Sequence, residues 1–593
     1  MKTILVTALL MASMMACNSK TGQENTAANA DFTKTVDDYY EERLKLFPLE
    51  ATFQGDNRYN DQLPNSNSQA YLDQTKAFYT TYLDKLKTFD RASLPEQDQI
   101  SYDILKRELE LQLEQFKFHL EYVPFSQFDG LTLTFGQLGS GASAQPFNTV
   151  KDYDDWLKRI SAFAVWGDSA LVNFRKGIDA GITWPKSLVL KMIPQMTDLV
   201  VSDPTQSLFY GPINKLPKDF SEADKNRLTA AYQKAIREEI VPTYRKLGDF
   251  LQNEYLPKAR TTSGIDAVAQ GPALYNYLVR TWTTTDKTPE EIYQTGLKEV
   301  ARIRAEMEKV KTQVGFTGTL DQFFTHLKTD PKFYPYQQPK EVLAAFNAIL
   351  TRIEPNLKTM FTKTPKSRFE IRQTEKFREA SASAEYNPAS ADGSRPGVFY
   401  VPIPDARKFN VTSGMESLFL HEAIPGHHYQ FSLQQEDTSL PKFRRFAWYG
   451  AYGEGWALYC ESLGKELGLY TDPYQYMGAL NDEMHRAIRL VVDVALHTKH
   501  MTREEAIRYM MANEPIAEEG AVAEIERYMA IPGQALSYKI GALKIRELRT
   551  KYEQQLGDRF SLAAFHDEFL KDGCMPLDIL ERKMDAWATR QGN

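Results

Sequence analysis

The chain is poor in cysteine and, beyond its first residues, in long apolar runs. Only three of its 593 residues are Cys, and once Cys17 is assigned to the leader, Cys460 and Cys574 remain. An exported chain of this size therefore does not depend on a disulfide framework. No later stretch approaches the roughly 20 apolar residues of a membrane-spanning helix. We expect a soluble chain that is stabilised by core burial, apart from an anchor at its start.

The chain also lacks an excess of positive charge. Its 78 Asp and Glu outnumber its 71 Lys and Arg, which gives a net charge of −7, and no basic stripe occurs. Because phosphate binding depends on dense Lys and Arg, no nucleic-acid partner is expected.

The start of the chain has the plan of a secretory signal peptide. Lys2 precedes an apolar run over residues 4–15, and Ala16-Cys17 follows it. A small residue before cysteine is typical of a bacterial lipoprotein signal, here residues 1–17, with Cys17 lipidated; an ordinary signal-peptidase site nearby is the alternative. Residues 18–31 are polar and small, which predicts a flexible tether. The expected location is the periplasm or the cell surface, with the protein attached to the membrane.

Helical periodicity dominates the remainder. Apolar residues recur at three- and four-residue spacing over residues 71–89, 96–118, 150–180, 221–255, 288–314, 339–357 and 482–500. Thr288 and Glu291 predict a capping box at one of these starts. Because the length exceeds that of a usual single core, we predict a mostly α fold in two lobes, residues 32–270 and 271–593.

Two β-prone runs interrupt the helical pattern. Residues 368–372 alternate in a strand-like way, and residues 397–401 form a second run that ends near two prolines. A small sheet is predicted, whose exposed edge could hold an extended peptide by main-chain hydrogen bonds, with Tyr400 as a substrate-binding residue. A purely structural hairpin is the alternative.

Three of the nine histidines fall within residues 421–428, which indicates a metal site. In a zinc-peptidase helix the second histidine stands four residues after the first, and here that position is Pro425. On a straight helix His428 would lie about 10 Å along the axis from His421, too far to share one ion. A break at Pro425-Gly426 would restore the approach. We predict His427 as the second ligand and His428 as an alternate ligand or a neighbour of the ligands.

The third ligand is expected from Glu454. Gly453 and Gly455 flank it and would allow close approach to the histidine helix. Glu461, seven residues on, points the same way on a helix and could orient a ligand histidine. The apolar neighbours of both acids indicate burial, and a buried carboxylate needs a partner such as a metal; solvated surface acids are the alternative.

Two histidines and a glutamate form the shell of a catalytic zinc, which leaves one position for water. Glu422, on a helix predicted to begin near Ser413 with Glu416 closing a capping box, is placed as general base on the zinc-bound water. A second donor would stabilise the oxyanion, a contribution of roughly 3 kcal/mol. The candidates for this donor are Tyr538, His497 and His485.

A polar stripe follows the predicted helix 482–500. His485, Arg489, Asp493 and His497 recur every four residues among apolar neighbours. The stripe either meets bulk water or lines the active-site cleft, where Arg489 or its neighbour Arg486 would bind a substrate carboxylate.

Together these motifs resemble the bacterial domain-of-unknown-function 885 family. The similar segments are 48–52 with Gly55, 421–428, 454–459, 489–493 with His497, and 532–541, and the resemblance covers nearly all of the mature chain. That family is grouped with gluzincin-like metallopeptidases. The resemblance therefore implies zinc on His421, Glu454 and one of the paired histidines, catalysis by Glu422, and a helical cleft fold like that of angiotensin-converting enzyme. The Pro-Gly insertion departs from the usual peptidase helix and leaves the second ligand open between His427 and His428.

The sequence thus predicts a zinc metallopeptidase of the cell envelope, with residues 271–593 as the catalytic zinc-binding lobe and peptides as substrates. A zinc hydrolase of a non-peptide amide or ester and a non-catalytic envelope binding protein are the alternatives. Glu422 favours a catalytic site, because structural zinc has a closed ligand shell and needs no adjacent base.

Overall fold

The computed structural model describes residues 29–376, 379, 383–390 and 395–592. The predicted signal peptide and all but the last residues of the predicted tether lie outside the described residues. Helices dominate, and one three-stranded sheet accompanies them. The prediction of a mostly α fold with a small sheet is confirmed.

The α-helices before the sheet are α1 (29–46), α2 (Pro48–Phe53), α3 (Gln69–Lys87), α4 (Glu96–Glu114), α5 (Leu131–Gly139), α6 (Val150–Ala180), α7 (Lys186–Thr197), α8 (Glu222–Ala235), α9 (Val241–Phe250), α10 (Gly271–Thr283), α11 (Pro289–Gln313), α12 (Leu320–Thr329) and α13 (Pro339–Met360). Those after it are α14 (Met415–Glu422), α15 (His427–Glu436), α16 (Lys442–Arg445), α17 (Gly450–Ser462), α18 (Pro473–Thr498), α19 (Arg503–Asn513), α20 (Glu518–Ala530), α21 (Ser537–Leu556), α22 (Leu562–Leu570) and α23 (Leu577–Gly592).

Several predicted helices match these bounds closely, because local capping fixes their ends. α6 covers the predicted residues 150–180, and Thr288 forms the predicted capping box with Glu291 at the start of α11. α18 begins nine residues earlier than predicted, where Asp472 accepts a hydrogen bond from the Tyr474 amide. The predicted helix 221–255 is interrupted by a π-helical turn at Ile236–Ile240 and ends in a second one, Leu251–Tyr255.

The sheet consists of β1 (Phe369–Gln373), β2 (Glu385–Asn387) and β3 (Gly397–Val401) in the order β1-β3-β2. β1 runs parallel to β3, with Arg372 opposite Tyr400, and β2 runs antiparallel to it, with Glu385 opposite Tyr400. The sequence predicted β1 and β3 but not β2. Tyr400 therefore lies on the central strand, whose main chain is already paired on both sides.

The buried cores do not follow the predicted boundary at residue 270. One core joins α1, α3 and α4 to β3 and to helices between α13 and α23. A second core lies mainly within residues 125–255, and a third packs α11 and α12 against α18–α20. The first helices of the chain thus share their core with the helices that carry the histidine motif. The division into two lobes stays a prediction.

Within the described residues, no helix has the length and apolar character needed to cross a bilayer. Cys460 and Cys574 are both buried free thiols.

Candidate metal centre

The histidine motif is divided between two helices. α14 ends at Glu422 and α15 begins at His427. The predicted Ser413 cap is wrong: Gly414, with φ +83°, precedes α14, and the Ser413 hydroxyl donates to the Asn410 carbonyl. Glu416 pairs with Arg352 instead of closing a capping box.

Gly426 makes the break between the helices possible. A Cβ atom at this position would lie 1.9 Å from the His421 carbonyl oxygen and 2.3 Å from that of Leu420, so only glycine fits. The carbonyl of Pro425 accepts a hydrogen bond from the Trp456 indole, 2.9 Å away. The chain folds back at this turn, and the rings of His421 and His427 stand 4.9 Å apart, almost perpendicular.

Glu454 completes a cluster with these two histidines. Its Oε2 lies 3.5 Å from Nε2 of His421 and 3.7 Å from Nε2 of His427. One ligand atom from each residue lies within 4.8 Å of the others, and no other group of this kind occurs in the described ranges. Both histidines are buried and Glu454 is nearly so. The structure thus brings together the three residues that the sequence predicted as metal ligands.

The glycines that flank Glu454 act differently from the prediction. A Cβ on Gly455 would lie 2.6 Å from the Cα of Gly541, so this glycine allows α17 to approach α21, not the histidine helix. A Cβ on Gly453 would lie 2.2 Å from the ring of Trp448, so this glycine makes room for an indole.

Glu461 lies behind the cluster and holds one histidine in place. Its Oε1 is 2.7 Å from Nδ1 of His421, and Glu461 lies about two turns of α17 beyond Glu454. A carboxylate only accepts, so Nδ1 carries a proton, and in its neutral form the ring presents the lone pair of Nε2 towards Glu454. Metal-binding histidines are commonly oriented by such a carboxylate.

Acidic groups dominate the electrostatics of the cluster. Burial lowers the pKa of His421, but the nearby carboxylates of Glu454, Glu461 and Glu422 outweigh burial and raise it to about 10. Burial opposes ionisation of Glu454, yet His421 and His427 hold the pKa of this carboxyl well below its usual range. The pocket therefore favours a cation among its carboxylates.

His428 does not join the cluster. Its Nδ1 lies 2.8 Å from the Tyr386 hydroxyl on β2, and its ring packs against Phe369 on β1. Burial lowers its pKa to about 4, so the ring is neutral at pH 7. Between the two histidines that the sequence left open, only His427 reaches His421 and Glu454.

Glu422 lies beside the cluster. One carboxylate oxygen is 4.0 Å from Nε2 of His421, and 14% of the side chain is exposed. It is therefore within reach of both the ligand atoms and solvent.

The polar stripe of α18 is buried rather than open to water. Asp493 accepts from the Tyr275 hydroxyl at 2.6 Å and from the Gly533 amide at 3.0 Å. His497 is fully buried, where Nδ1 accepts from the Ile265 amide and Nε2 donates to the Tyr528 carbonyl. Burial lowers the pKa of His497 to about 3. The structure does not bring His497 to the cluster, because neighbours occupy both ring nitrogens.

The other end of the stripe forms an ion-pair network. His485 pairs with Glu514 at 2.9 Å, and Arg489 donates to Glu524 at 3.0 Å and to the Tyr528 hydroxyl at 3.1 Å. Arg489 also lies over the Tyr538 ring, 4.6 Å from its centre. These contacts occupy Nε and Nη2 of Arg489, whereas its buried Nη1 has no hydrogen-bond partner among the described residues and is the donor left for a substrate carboxylate.

Arg486 stands closer to the metal cluster. Its Nη2 lies 3.9 Å from the Glu461 carboxylate, and its buried Nε has no hydrogen-bond partner among the described residues. Burial opposes the charge of Arg486, yet Glu461 and Asp482 raise its pKa, and Tyr538, half-buried in the first turn of α21, adds to the shift. Arg486 thus lies near the carboxylate behind the cluster, and Tyr538 lies near Arg486 and Arg489.

The donor set fits a zinc ion on grounds of chemistry. Two imidazoles and one carboxylate converge, and this combination suits zinc. The buried Nδ1 of His427 finds no partner among the described residues, which leaves the tautomer of this ring free for metal binding through Nε2.

Sequence reasoning missed Trp448 and Tyr386. Trp448 packs with its ring centre 6.0 Å from that of His427. Only its place two residues before α17 could have drawn attention to it. Tyr386 lies on the unpredicted strand β2, so nothing in the sequence linked it to His428.

The fold and the cluster define a mostly helical protein with a two-histidine, one-glutamate centre. The chain belongs to the bacterial proteins of unknown function of family DUF885, which match residues 48–584. The prediction of this family is confirmed.

Two solved structures are similar over nearly their whole length. A candidate lipoprotein from Colwellia psychrerythraea is 28% identical with a TM-score of 0.86, and the match covers 95% of this chain and 100% of that chain. A candidate lipoprotein of unknown function from Shewanella oneidensis is 21% identical with a TM-score of 0.74, and the match covers 93% of this chain and 99% of that chain. The second similarity shows the fold alone. No curated protein matches the chain.

Proposed function

We propose that the protein is a zinc-dependent, gluzincin-like metallopeptidase of the cell envelope, attached to the membrane through a lipidated Cys17. One observation carries the proposal: the ligand atoms of His421, His427 and Glu454 converge within 4.8 Å. The similarity to candidate lipoproteins supports the location. A cleft fold like that of angiotensin-converting enzyme is part of the same proposal.

Zinc, when bound by these three residues, supplies a Lewis acid and lowers the pKa of water towards neutrality. Glu422 accepts the proton of the attacking water and returns it to the leaving amine. Its partial exposure and its 4.0 Å distance from His421 Nε2 suit both tasks. Glu461 keeps the proton of His421 on Nδ1, so that Nε2 stays available as a ligand.

The test is digestion of a diverse peptide mixture by zinc-loaded protein, read by mass spectrometry beside Glu422→Gln with zinc content measured in both. We expect equal zinc and a loss of cleavage of about 10²- to 10⁴-fold in the variant. Glu504→Gln is the matched control, because Glu504 is an exposed acid on α19 whose side chain is 62% exposed. Its cleavage should equal that of the wild type.

Cleavage that survives Glu422→Gln would contradict the role of Glu422. Absence of peptide cleavage by fully zinc-loaded protein would refute the peptidase, and activity on other amides or esters would then identify the alternative hydrolase.

A further inference from the structure

A cavity of about 540 Å³ lies beside the candidate metal centre. Helices α1, α2, α4 and α10 enclose it together with the segment that leads into α17. Aromatic side chains form much of its wall: Tyr39, Tyr40, Phe53, Tyr277, Trp282 and Trp448. Its volume falls within the range of about 300–1,000 Å³ that small-molecule and peptide pockets occupy.

Trp448 connects this cavity to the metal cluster. Its indole lines the cavity and also stands 6.0 Å from the ring of His427. It stacks on Phe431 with ring centres 5.1 Å apart and planes 5° from parallel, and the missing side chain of Gly453 gives it room. Trp448 is nevertheless 42% exposed.

α17 provides a second connection. Gly450, the first residue of this helix, lines the cavity, and Glu454 follows one turn later. The wall of the cavity therefore reaches to within about one helical turn of the residue that offers the third ligand.

The charges of the wall are already paired. Arg43 donates to both carboxylate oxygens of Glu50 at 2.8 Å and lies 3.1 Å from Glu108. Arg107 donates to the Arg280 carbonyl at 3.0 Å and lies 3.6 Å from Asp578. A charged ligand would have to displace these contacts, whereas an uncharged apolar group meets exposed ring faces.

We propose that this cavity binds an aromatic or bulky apolar side chain of the peptide substrate, close to the bond that is cut, and that Trp448 determines this specificity. The inference rests on the proposed peptidase function, of which it specifies the substrate class. Ring faces attract aromatic groups through stacked and edge contacts in addition to the burial of apolar area.

Binding can test this inference without hydrolysis. The zinc-loaded Glu422→Gln variant is titrated by calorimetry with a series of blocked peptides made of Ala, Gly and Ser. Each peptide of the series carries a single Phe at a different position, and the same peptide without Phe is the reference. We expect the best Phe peptide to bind about 10-fold more tightly than the peptide without Phe.

Two further variants in the Glu422→Gln background locate the effect. Trp448→Ala removes the indole that lines the cavity and stands next to His427. Thr281→Phe fills the cavity from α10, away from the histidines. Both variants should reduce the preference for Phe to less than about 3-fold. Thr281→Phe should keep its zinc, which separates loss of the cavity from damage to the metal cluster. Phe128→Ala removes a ring that is 47% exposed outside the cavity and should keep the full preference.

The outcomes separate the two proposals. A preference for Phe in a protein that cuts no peptide would refute the peptidase but support the cavity as a binding site. Peptide cleavage without a preference for Phe, binding of neither peptide, or a preference that survives Thr281→Phe would overturn the inference about the cavity.

Discussion

The metal cluster and the polar stripe of α18 both bury histidines and carboxylates, yet they differ in what their atoms face. In the stripe, the ring nitrogens of His497 and the carboxylate of Asp493 meet donors and acceptors of neighbouring elements. In the cluster, Nε2 of His421 and Nε2 of His427 face a carboxylate at 3.5–3.7 Å, too far for a good hydrogen bond. A buried histidine indicates a metal site only where its free nitrogen points at other ligand atoms instead of a satisfied partner.

The largest expected effect comes from removing one histidine from each region. His421→Ala should abolish stoichiometric zinc binding and peptide cleavage, because a ligand is lost. His497→Asn should keep one zinc per chain and lower the free energy of unfolding by about 1–3 kcal/mol, because buried hydrogen bonds are lost. Metal analysis and urea unfolding measure both. Loss of zinc in His497→Asn would show that the two regions do not differ as described.

A substitution in the turn between α14 and α15 should have the second largest effect. Gly426→Ala places a Cβ 1.9 Å from the His421 carbonyl, so the turn must open and the two histidines separate. We expect zinc affinity to fall at least about 100-fold and stability to fall by several kcal/mol. Gly136→Ala on α5 is the control, because its Cβ would meet only Leu208 at 3.7 Å. A Gly426→Ala protein with normal zinc affinity would contradict the role of the turn.

Glu461→Gln tests the support behind His421 with a smaller expected effect. The amide keeps the shape of the side chain but removes the negative charge, and we expect zinc affinity to fall about 10- to 100-fold. Glu466→Gln, which changes an acid paired with Arg549 at 2.9 Å, should leave the affinity unchanged. Competition with a chelator measures both. Equal affinities in the two variants would refute the support by Glu461.

The stripe predicts the smallest effect, a pH dependence of stability. Burial raises the pKa of Asp493 to about 7, although Tyr275 and Gly533 oppose the shift. The folded state holds this proton more tightly than the unfolded chain. The resulting contribution of Asp493 to the free energy of unfolding is therefore full below about pH 4 and is lost as the pH rises towards 7. Asp493→Asn cannot ionise, so its stability relative to the wild type should rise by at most about 1.4 kcal/mol per pH unit between pH 5 and 7. Urea unfolding of both proteins at pH 5 and pH 7 measures this change in relative stability. A stability difference between the two proteins that is the same at both pH values would contradict the raised pKa of Asp493.

The sequence was sufficient for the parts of the fold that depend on local signals. Amphipathic spacing and end caps predicted α6 and α11 closely, because the residues that decide those helices lie inside them. The residue types at 421–428 and at 454 predicted the metal cluster. The break at Pro425-Gly426 could be predicted as well, because the two histidines could not meet on a straight helix.

The remaining features depend on contacts that are remote in the sequence. β2 has three residues, too few for a periodic pattern, and it forms only against β3. The burial of the α18 stripe depends on Tyr275 and Tyr528, which come from other helices. The approach of Gly455 to Gly541 joins helices about 86 residues apart, so the sequence alone did not distinguish it from an approach to the histidine helix.

That contact between α17 and α21 has a consequence for motion. A Cβ on Gly541 would lie 1.9 Å from the Ala451 carbonyl, so the two backbones touch and cannot slide past each other without separating. Glu454 and Tyr538 therefore belong to one rigid unit. A widening of the centre to admit a peptide or release a product would therefore move α14 and α15 relative to this unit, and not α17 relative to α21.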